Sequence, residues 1–136
     1  MQDTEPTDYI AIVDDDQAVR RALARLLCAC SLSVRTYPSG REFVESLESG
    51  VPACLILDLQ MPDTTGLEVL QYLAGAGFKF PVIIATAQDE PGLEHRCKVA
   101  GAAALLTKPF ATEPLLDALK AVLKKPIANT TPSGRM

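Results

Sequence analysis

The stretch YIAIVDDD at residues 9–16 decides the fold, because five apolar residues are followed at once by three carboxylates. A run this short and this apolar is typical of a strand that is covered on both faces, as the strands of parallel sheets are. The carboxylates then stand where the strand ends. In an open parallel sheet, that edge holds the functional crevice. The stretch therefore indicates both a fold class and the place of a site.

Four further segments of similar length follow along the chain. Three of them, at residues 54–57, 82–85 and 103–106, are nearly continuous apolar runs, whereas Ser33–Tyr37 mixes polar and apolar residues and suits a sheet edge. Helix-period segments separate them, and this alternation is typical of a parallel sheet with helices on both faces. The sequence therefore predicts an α/β fold with a doubly wound, five-stranded parallel sheet and five helices.

The helices are indicated by apolar spacing and by the residues at which they start. Apolar side chains recur at spacings of three and four along residues 19–30 and 115–123, which predicts one buried face on each of two helices. Two S/T-x-x-E patterns, starting at Ser39 and Thr65, satisfy free amide groups at a helix start. A fourth helix is expected to begin at Pro91, whose fixed backbone angle suits a first turn.

The length and composition of the chain indicate one domain. It has 136 residues, of which 48% are apolar and 22% are charged, and this is the size of a compact domain with one hydrophobic core. We expect the domain at residues 8–124, after an N-terminal extension at residues 1–7. Residues 125–136 lose the periodicity and are rich in Pro, Ser, Thr and Gly. They are predicted to be a flexible tail, or a linker toward an effector domain.

The charge of the chain argues against two classes of partner. A formal net charge of -4 opposes the basic surface that the nucleic-acid backbone requires, so direct nucleic-acid binding by this chain is not expected. No apolar run reaches the roughly 18 residues of a membrane span. The N-terminus is acidic, where a secretory signal would be basic and then apolar. We therefore expect a cytoplasmic protein with no membrane partner.

Two predicted strands end in carboxylates. The first is followed by Asp14 and Asp15, and the third ends at Asp58, so the three side chains converge if these strands are neighbours. Three carboxylates in one crevice repel each other, and a hard cation with oxygen ligands relieves the repulsion. The sequence therefore predicts a Mg²⁺ site that also takes a phosphoryl group.

Phosphoryl transfer needs a nucleophile, a metal, and a further cation or hydroxyl for the remaining charge. Asp58 is an isolated carboxylate between apolar neighbours and is the expected nucleophile. Thr86 ends the fourth strand and Lys108 follows the fifth, so both are expected beside it. Each residue also has a structural alternative: the acids from Asp14 to Asp16 as a helix cap, residues 58–63 as a strand-to-turn exit, the threonine as a β-branched strand residue, and the lysine as a solvated charge. If these alternatives were correct, all of the residues would stand at the ends of predicted strands by coincidence. This explanation is less favoured than a shared site.

Four short motifs stand at the ends of the predicted strands. They are Ile12-Val13-Asp14-Asp15-Asp16, Leu57-Asp58-Leu59-Gln60-Met61-Pro62-Asp63 with Thr65-Gly66, Ala85-Thr86-Ala87, and Lys108-Pro109-Phe110. In this order they resemble the motifs of response regulator receiver domains of two-component systems, and the similarity covers residues 8–124. Val19 and Arg20 after the acidic triplet, and the stretch at residues 58–63, resemble receivers that precede helix-turn-helix transcription factors. The resemblance implies the flavodoxin-like fold of the chemotaxis regulator, with the strand order 2-1-3-4-5.

The resemblance implies a phosphorylation-controlled switch rather than an enzyme with its own substrate turnover. A sensor histidine kinase would transfer a phosphoryl group to Asp58, and Lys108 and Thr86 would contact that group. The peptide before Pro109 would be cis. Phosphorylation would change how the face formed by the fourth helix, the fifth strand and the fifth helix binds an output protein, an effector domain or a second copy of the chain.

The resemblance also implies the ligands of the metal. Asp15 and Asp58 would bind Mg²⁺ by side chain, and Gln60 would bind it by its main-chain carbonyl oxygen. Asp14 would contact the ion through a water molecule. All four residues belong to the first two motifs. The implied metal site therefore requires the first and third strands to lie side by side.

Two other functions are compatible with parts of the pattern. A Mg²⁺-dependent phosphohydrolase with an aspartyl phosphate would need a second aspartate two residues beyond Asp58, and that position is Gln60. A protein-interaction module that is not phosphorylated is suggested only by Leu105, which stands where the family usually has an aromatic switch residue. With leucine there, the ring that couples to Thr86 is missing. We therefore expect the conformational output to differ while the phosphorylation chemistry is kept.

Overall fold

The computed structural model describes residues 9–61, 65–87, 90–109 and 111–123. Strands and helices alternate along the chain. The strands are β1 (Tyr9–Val13), β2 (Ser33–Tyr37), β3 (Cys54–Asp58), β4 (Val82–Thr86) and β5 (Ala104–Thr107). The helices are α1 (Gln17–Ala29), α2 (Gly40–Ser46), α3 (Gly66–Gly75), α4 (Leu93–Val99) and α5 (Thr112–Leu123), with a short 3-10 helix at Leu47–Ser49 after α2.

The five strands form one parallel sheet in the order β2-β1-β3-β4-β5, which confirms the predicted fold class and strand order. Every residue of β1, β3 and β4 is buried, because these central strands are covered on both faces. The edge strand β2 has no fully buried residue, in agreement with its mixed sequence. β2 lies on one side of β1 and β3 on the other, so the strand order reverses at β1. The crevice of such a fold lies at this point, between β1 and β3.

The sheet separates two apolar cores. Alternate residues of a strand point to opposite faces, so β1 contributes Ala11 and Val13 to one core and Ile10 and Ile12 to the other. The core that contains residues of α2, α3 and α4 is called here the α4-side core, and the one that contains residues of α1 and α5 is called the α5-side core. In the α4-side core, the fully buried helix residues are Phe43 and Cys97. In the α5-side core, they are Leu27, Leu115 and Leu119.

Two elements differ from the sequence predictions. β5 begins at Ala104 and ends at Thr107, one residue later than predicted, and it is only partly buried because it is the second edge of the sheet. α4 begins at Leu93 instead of Pro91. The cause is Gly92, whose φ of 82° is left-handed and cannot belong to a right-handed helical turn.

Several predictions concern parts of the chain outside the described residues. They are the extension at residues 1–7, the tail or linker at residues 125–136, and Pro62, Asp63 and Phe110 of the motifs. Within the described ranges, no helix combines the length and the apolar character that crossing a bilayer requires.

Gly66, the first residue of α3, lies where a side chain has no space. A Cβ atom there would be 2.7 Å from the carbonyl oxygen of Asp58 and 2.8 Å from the Cα atom of Leu59. The N–H group of Gly66 also donates a hydrogen bond to the carbonyl oxygen of Leu59 at 2.9 Å. The end of β3 and the start of α3 are therefore in direct backbone contact. Gly75, at the other end of α3, has no such neighbour within 4 Å.

Gly66→Ala is expected to lower the free energy of unfolding by about 2 to 3 kcal/mol, because backbone atoms must move to admit the methyl group. Gly75→Ala is expected to raise it by about 0.5 to 1 kcal/mol, because alanine restricts the unfolded chain and favours the helix. Urea unfolding of both variants beside the wild type measures the two effects. Equal effects at the two positions would contradict the close backbone contact at Gly66.

Candidate functional site

Three carboxylates meet at the carboxyl edge of the sheet. Asp14 follows β1 and Asp58 ends β3, and these strands are hydrogen-bonded neighbours. One carboxylate oxygen from each of Asp14, Asp15 and Asp58 lies within 4.8 Å of the others. Asp14 and Asp58 are buried, whereas Asp15 is exposed. The cluster therefore has a buried side and a side that is open to a ligand.

The last residue of the acidic triplet caps α1. The carboxylate of Asp16 accepts hydrogen bonds from the amides of Ala18 and Val19 at 2.9 and 3.4 Å. The helix-cap alternative is therefore correct for Asp16. The amide of Asp16 in turn donates to Oδ1 of Asp14 at 2.9 Å. Asp14 and Asp15 belong to the carboxylate cluster instead.

Lys108 joins the two buried carboxylates. Its Nζ atom lies 2.8 Å from Oδ2 of Asp14 and 3.4 Å from Oδ1 of Asp58. Its backbone N–H donates to the carbonyl oxygen of Thr86 at 2.7 Å, and the peptide to Pro109 is cis, as the resemblance implied. Burial alone lowers the pKa of Lys108, but the hydrogen bond and charge of Asp14 and the charge of Asp58 outweigh it and raise the pKa. Lys108 is therefore a stable cation within the cluster.

The carboxyl group of Asp58 is hard to ionise. Its side chain is only 7% exposed, and its Oδ1 atom accepts a hydrogen bond from the amide of Gln60 at 3.3 Å. Burial, and then the charge of Asp14, raise the pKa of Asp58 from 3.8 to about 6, against the opposing effects of Lys108 and the Gln60 amide. A further cation beside Asp58 would favour the ionised carboxylate, which is the nucleophilic form.

The raised pKa of Asp58 predicts a pH-dependent stability in the absence of metal. Because the folded-state pKa of about 6 exceeds the usual value of 3.8, the stability contributed by the neutral carboxyl is present below about pH 4 and is lost as the pH rises through about 6. Asp58→Asn removes this titration. The free energy of unfolding of the variant, relative to that of the wild type, is expected to rise by about 2 to 3 kcal/mol as the pH is raised from about 4 to about 8. Urea unfolding in EDTA at both ends of this range measures the gain, and an equal difference at both would contradict the raised pKa.

Thr86 and Leu105 lie on the α4 side of the sheet. Thr86 ends β4 and is fully buried. Ile83 and Ala85 of the same strand belong to the α5-side core, so by alternation Thr86 lies on the opposite face. Leu105 of β5 is partly buried and packs against the α4-side core. By the same alternation, Asp58 stands on the α5 side. Thr86 and Asp58 therefore lie on opposite faces of the sheet, each at the carboxyl end of its strand.

The residues at this edge fit a hard divalent cation. Carboxylate oxygens are the ligands that Mg²⁺ prefers in proteins, and three are within reach of one ion. Both oxygens of Asp14 are engaged, Oδ1 by the Asp16 amide and Oδ2 by Lys108, so this residue suits a contact through water. Asp15 is exposed and Asp58 lies beside it, which suits direct contact. The cluster can therefore bind a metal and present a nucleophile at one place.

Two features beside the cluster were not predicted from the sequence. Arg20 of α1 donates a hydrogen bond from Nη1 to the carbonyl oxygen of Asp14 at 2.7 Å. Long side chains of a helix point toward its N-terminus, so an arginine one turn into α1 was the available indication. An apolar cavity of about 620 Å³, with Val19, Pro109 and Lys108 in its walls, lies between α1 and the start of α5. The sequence contains no local pattern for this cavity, because it depends on the spacing of two helices.

Comparison with known proteins gives consistent matches. Residues 10–120 match the profile of the family described as response regulator receiver domain. The transcriptional regulatory protein TdiR of Thauera aromatica is 36% identical over 114 residues, which are 84% of this chain and 50% of TdiR. The response regulator MprA of Mycobacterium tuberculosis is 40% identical over 116 residues, which are 85% of this chain and 50% of MprA. The chain spans about half the length of the curated relatives it matches.

The fold has a similar neighbour among solved structures. A response regulator receiver protein from Burkholderia phymatum superposes with a TM-score of 0.79 and is 40% identical in sequence. The match covers 92% of this chain and 100% of that chain. The candidate site, from Asp14 to Lys108, lies wholly within the range that the family profile matches.

Proposed function

The chain belongs to the response regulator receiver domain family of two-component systems, and we propose that its Asp58 accepts a phosphoryl group from a sensor histidine kinase in a Mg²⁺-dependent reaction. The observation that carries the proposal is the single cluster of Asp14, Asp15 and Asp58, with Lys108 between the two buried acids. It combines a nucleophile, a metal-binding side and a fixed cation. These are the parts that phosphoryl transfer needs.

In the proposed reaction, a carboxylate oxygen of Asp58 attacks the phosphorus atom of a phosphohistidine. An O–P bond forms, the N–P bond breaks, and the imidazole nitrogen of the kinase keeps the electron pair of that bond. Lys108 is suited to pair with a phosphoryl oxygen, because its Nζ atom is already 3.4 Å from the attacking carboxylate. We expect Lys108 to exchange part of its contact with Asp14 for the phosphoryl group.

Mg²⁺ is the proposed cofactor and would offset the negative charge of the phosphoryl oxygens. Asp15 and Asp58 are proposed to bind it by side chain, Gln60 by its carbonyl oxygen, and Asp14 through water. The engagement of both carboxylate oxygens of Asp14, and the exposure of Asp15, support this division of roles. The closeness of the three carboxylates, one oxygen of each lying within 4.8 Å of the others, also supports a shared ion.

The proposed output is a change in partner binding. Receiver domains of response regulators pair with histidine kinases and output domains, and TdiR is named a transcriptional regulatory protein. We propose that α4, β5 and α5 form the face that binds an output protein, an effector domain or a second copy of the chain. A movement of Thr86 toward the phosphoryl group would change the packing around Leu105 and α4 without an aromatic ring.

The proposed receiver domain extends over residues 8–124, with an extension at residues 1–7 and a tail or linker at residues 125–136. We propose a cytoplasmic location and no direct binding of nucleic acid or membrane by this chain. The net charge of -4 supports the proposal about nucleic acid, since the phosphate backbone favours basic surfaces. In a longer protein, DNA binding would belong to a separate output domain.

The two alternative functions have less support. A phosphohydrolase with turnover would need an acid/base aspartate where Gln60 stands, so the domain is proposed to be a switch that catalyses only its own phosphorylation and dephosphorylation. An interaction module without phosphorylation would not need the contacts of Lys108 with both buried acids. Leu105 alone favours that module.

Small phosphodonors test the proposal without the kinase. The purified chain is incubated with phosphoramidate or acetyl phosphate, in Mg²⁺ or in EDTA, and its intact mass is measured. We expect one phosphoryl adduct that requires Mg²⁺, and peptide mapping should place it on Asp58. A folded chain that binds Mg²⁺ but gains no adduct from either donor or from sensor kinases would overturn the proposal and favour the interaction module.

A further inference from the structure

Arg20 of α1 contacts the loop that carries two of the three clustered acids. Its Nη1 atom donates to the carbonyl oxygen of Asp14 at 2.7 Å, and the residue is partly buried. Its backbone N–H donates to the carbonyl oxygen of Asp16 at 3.0 Å, as part of the helix. The same residue is therefore bonded to the acidic triplet through its backbone and through its side chain.

The hydrogen bond from Arg20 fixes the peptide plane between Asp14 and Asp15. The carbonyl oxygen of Asp14 and the N–H group of Asp15 belong to one rigid unit, so a donor that holds the oxygen also sets the direction in which the Asp15 backbone continues. The other polar groups of Asp14 are held as well. Its N–H donates to the carbonyl oxygen of Tyr37 at 3.2 Å, and its carboxylate is bound by the Asp16 amide and Lys108. Asp15 thus starts from a residue that cannot rotate freely.

Arg20 also brings a positive charge to the cluster without occupying a carboxylate oxygen. Its guanidinium binds a main-chain carbonyl, whereas Lys108 binds the carboxylates of Asp14 and Asp58 directly. A metal ion bound directly to Asp58 would compete with Lys108 for that carboxylate, but it would not compete with Arg20. Arg20 can therefore keep its contact whether or not a metal is bound.

We propose that Arg20 is a positioning residue that holds the Asp14–Asp15 peptide in the orientation in which Asp15 binds the divalent cation. This inference rests on the proposed function, because it assigns Arg20 a role toward the Mg²⁺ of that site. Arg20 touches neither the ion nor the phosphoryl group in this role and acts through Asp15. Residues that orient metal ligands in this way change metal affinity by about 10- to 100-fold when they are replaced.

The test is the dissociation constant of Mg²⁺, measured by titration calorimetry on the purified chain and its variants. Arg20→Met keeps the length of the side chain but removes the donor and the charge, and Arg20→Lys restores both in another geometry. Arg21 is the next residue of α1 and is exposed, so Arg21→Met controls for the loss of one charge and for the change in helix composition. Arg20→Ala replaces Arg20→Met if the methionine variant does not fold, because alanine also lacks the donor and the charge.

We expect Arg20→Met to weaken Mg²⁺ binding by about tenfold or more, and Arg20→Lys to recover part of the loss. Arg21→Met should change the dissociation constant by less than about twofold at physiological salt, because exposed charges are screened. A lower urea midpoint for Arg20→Met with an unchanged Mg²⁺ dissociation constant would show a role in stability alone and would overturn the proposal. Equal weakening by Arg20→Met and Arg21→Met would overturn it too, since charge alone would then explain both.

The same titrations separate a failure of this inference from a failure of the proposed function. Asp15→Asn is the negative reference and is expected to bind Mg²⁺ much more weakly than the wild type. If the wild type binds no Mg²⁺ either, the proposed function is refuted and the role of Arg20 with it. If the wild type binds Mg²⁺ and Arg20→Met binds it equally well, the role of Arg20 alone is refuted.

Discussion

Asp58→Asn is expected to abolish the phosphoryl adduct that the wild type forms with phosphoramidate and Mg²⁺. The side-chain oxygen of asparagine is uncharged and is not an anionic nucleophile, although the shape of the side chain is kept. The variant should stay folded, because it removes a buried carboxyl group whose pKa is raised by burial and by the charge of Asp14. Intact mass spectrometry over a time course is the measurement, and no mass increase should appear in the variant.

Asp117→Asn is the matched control for this experiment. Asp117 is an exposed residue of α5, so its replacement removes the same chemical group from a place outside the carboxylate cluster. The control should form the adduct at the wild-type rate. If Asp58→Asn is folded and still forms the adduct in full yield, the acceptor is another residue. Peptide mapping would then decide between Asp14 and Asp15.

Lys108→Ala is expected to slow adduct formation by about 10²- to 10³-fold at saturating Mg²⁺, because the developing charge on the phosphoryl oxygens loses a fixed cation. Mg²⁺ should at the same time bind more tightly. The reason is that the positive charge of Lys108, whose Nζ atom lies 2.8 Å from Asp14 and 3.4 Å from Asp58, no longer opposes a cation bound beside these acids. Time courses of the adduct mass and calorimetric titration with Mg²⁺ measure the two effects.

The opposite signs of these two effects distinguish a local change from a loss of structure. A variant that had lost its fold would lose both the reaction rate and the metal affinity. Lys120→Ala is the control, since Lys120 is exposed on α5, and neither quantity should change in it. A rate for Lys108→Ala close to that of the wild type would remove Lys108 from the proposed chemistry and leave it a structural role.

The sheet and the carboxylate cluster were predictable because they depend on patterns that are local in the chain. Apolar runs give strands that are covered on both faces, and each of the acids stands directly at a strand end. The start of α4 was less predictable. Pro91 suits a first helical turn, but the left-handed conformation of Gly92 delays the helix to Leu93. A conformation that only glycine adopts easily leaves no other trace in the sequence.

The contacts within the site could not be predicted from spacing. The sequence places Lys108 near the cluster as a residue for the phosphoryl group, but it does not show that Asp14 is the nearer of its two partners. The contact of Arg20 with a main-chain carbonyl also depends on the rotation of α1 against β1. Both distances follow from how helices pack on the sheet, and hydrophobic periodicity does not specify packing to that accuracy.

The two apolar cores have a consequence for how the domain loosens. The backbone of the strands separates the buried side chains of the two cores. Displacement of α4 is therefore expected to expose one core to water and to leave the other core closed. α4 is also held by few anchors, since it has seven residues and only Leu93 and Cys97 are buried. α3, which packs on the same core, has four buried residues. Local opening is therefore expected to begin at α4, while the core under α1 and α5, on the face of the sheet that carries Asp14 and Asp58, stays closed.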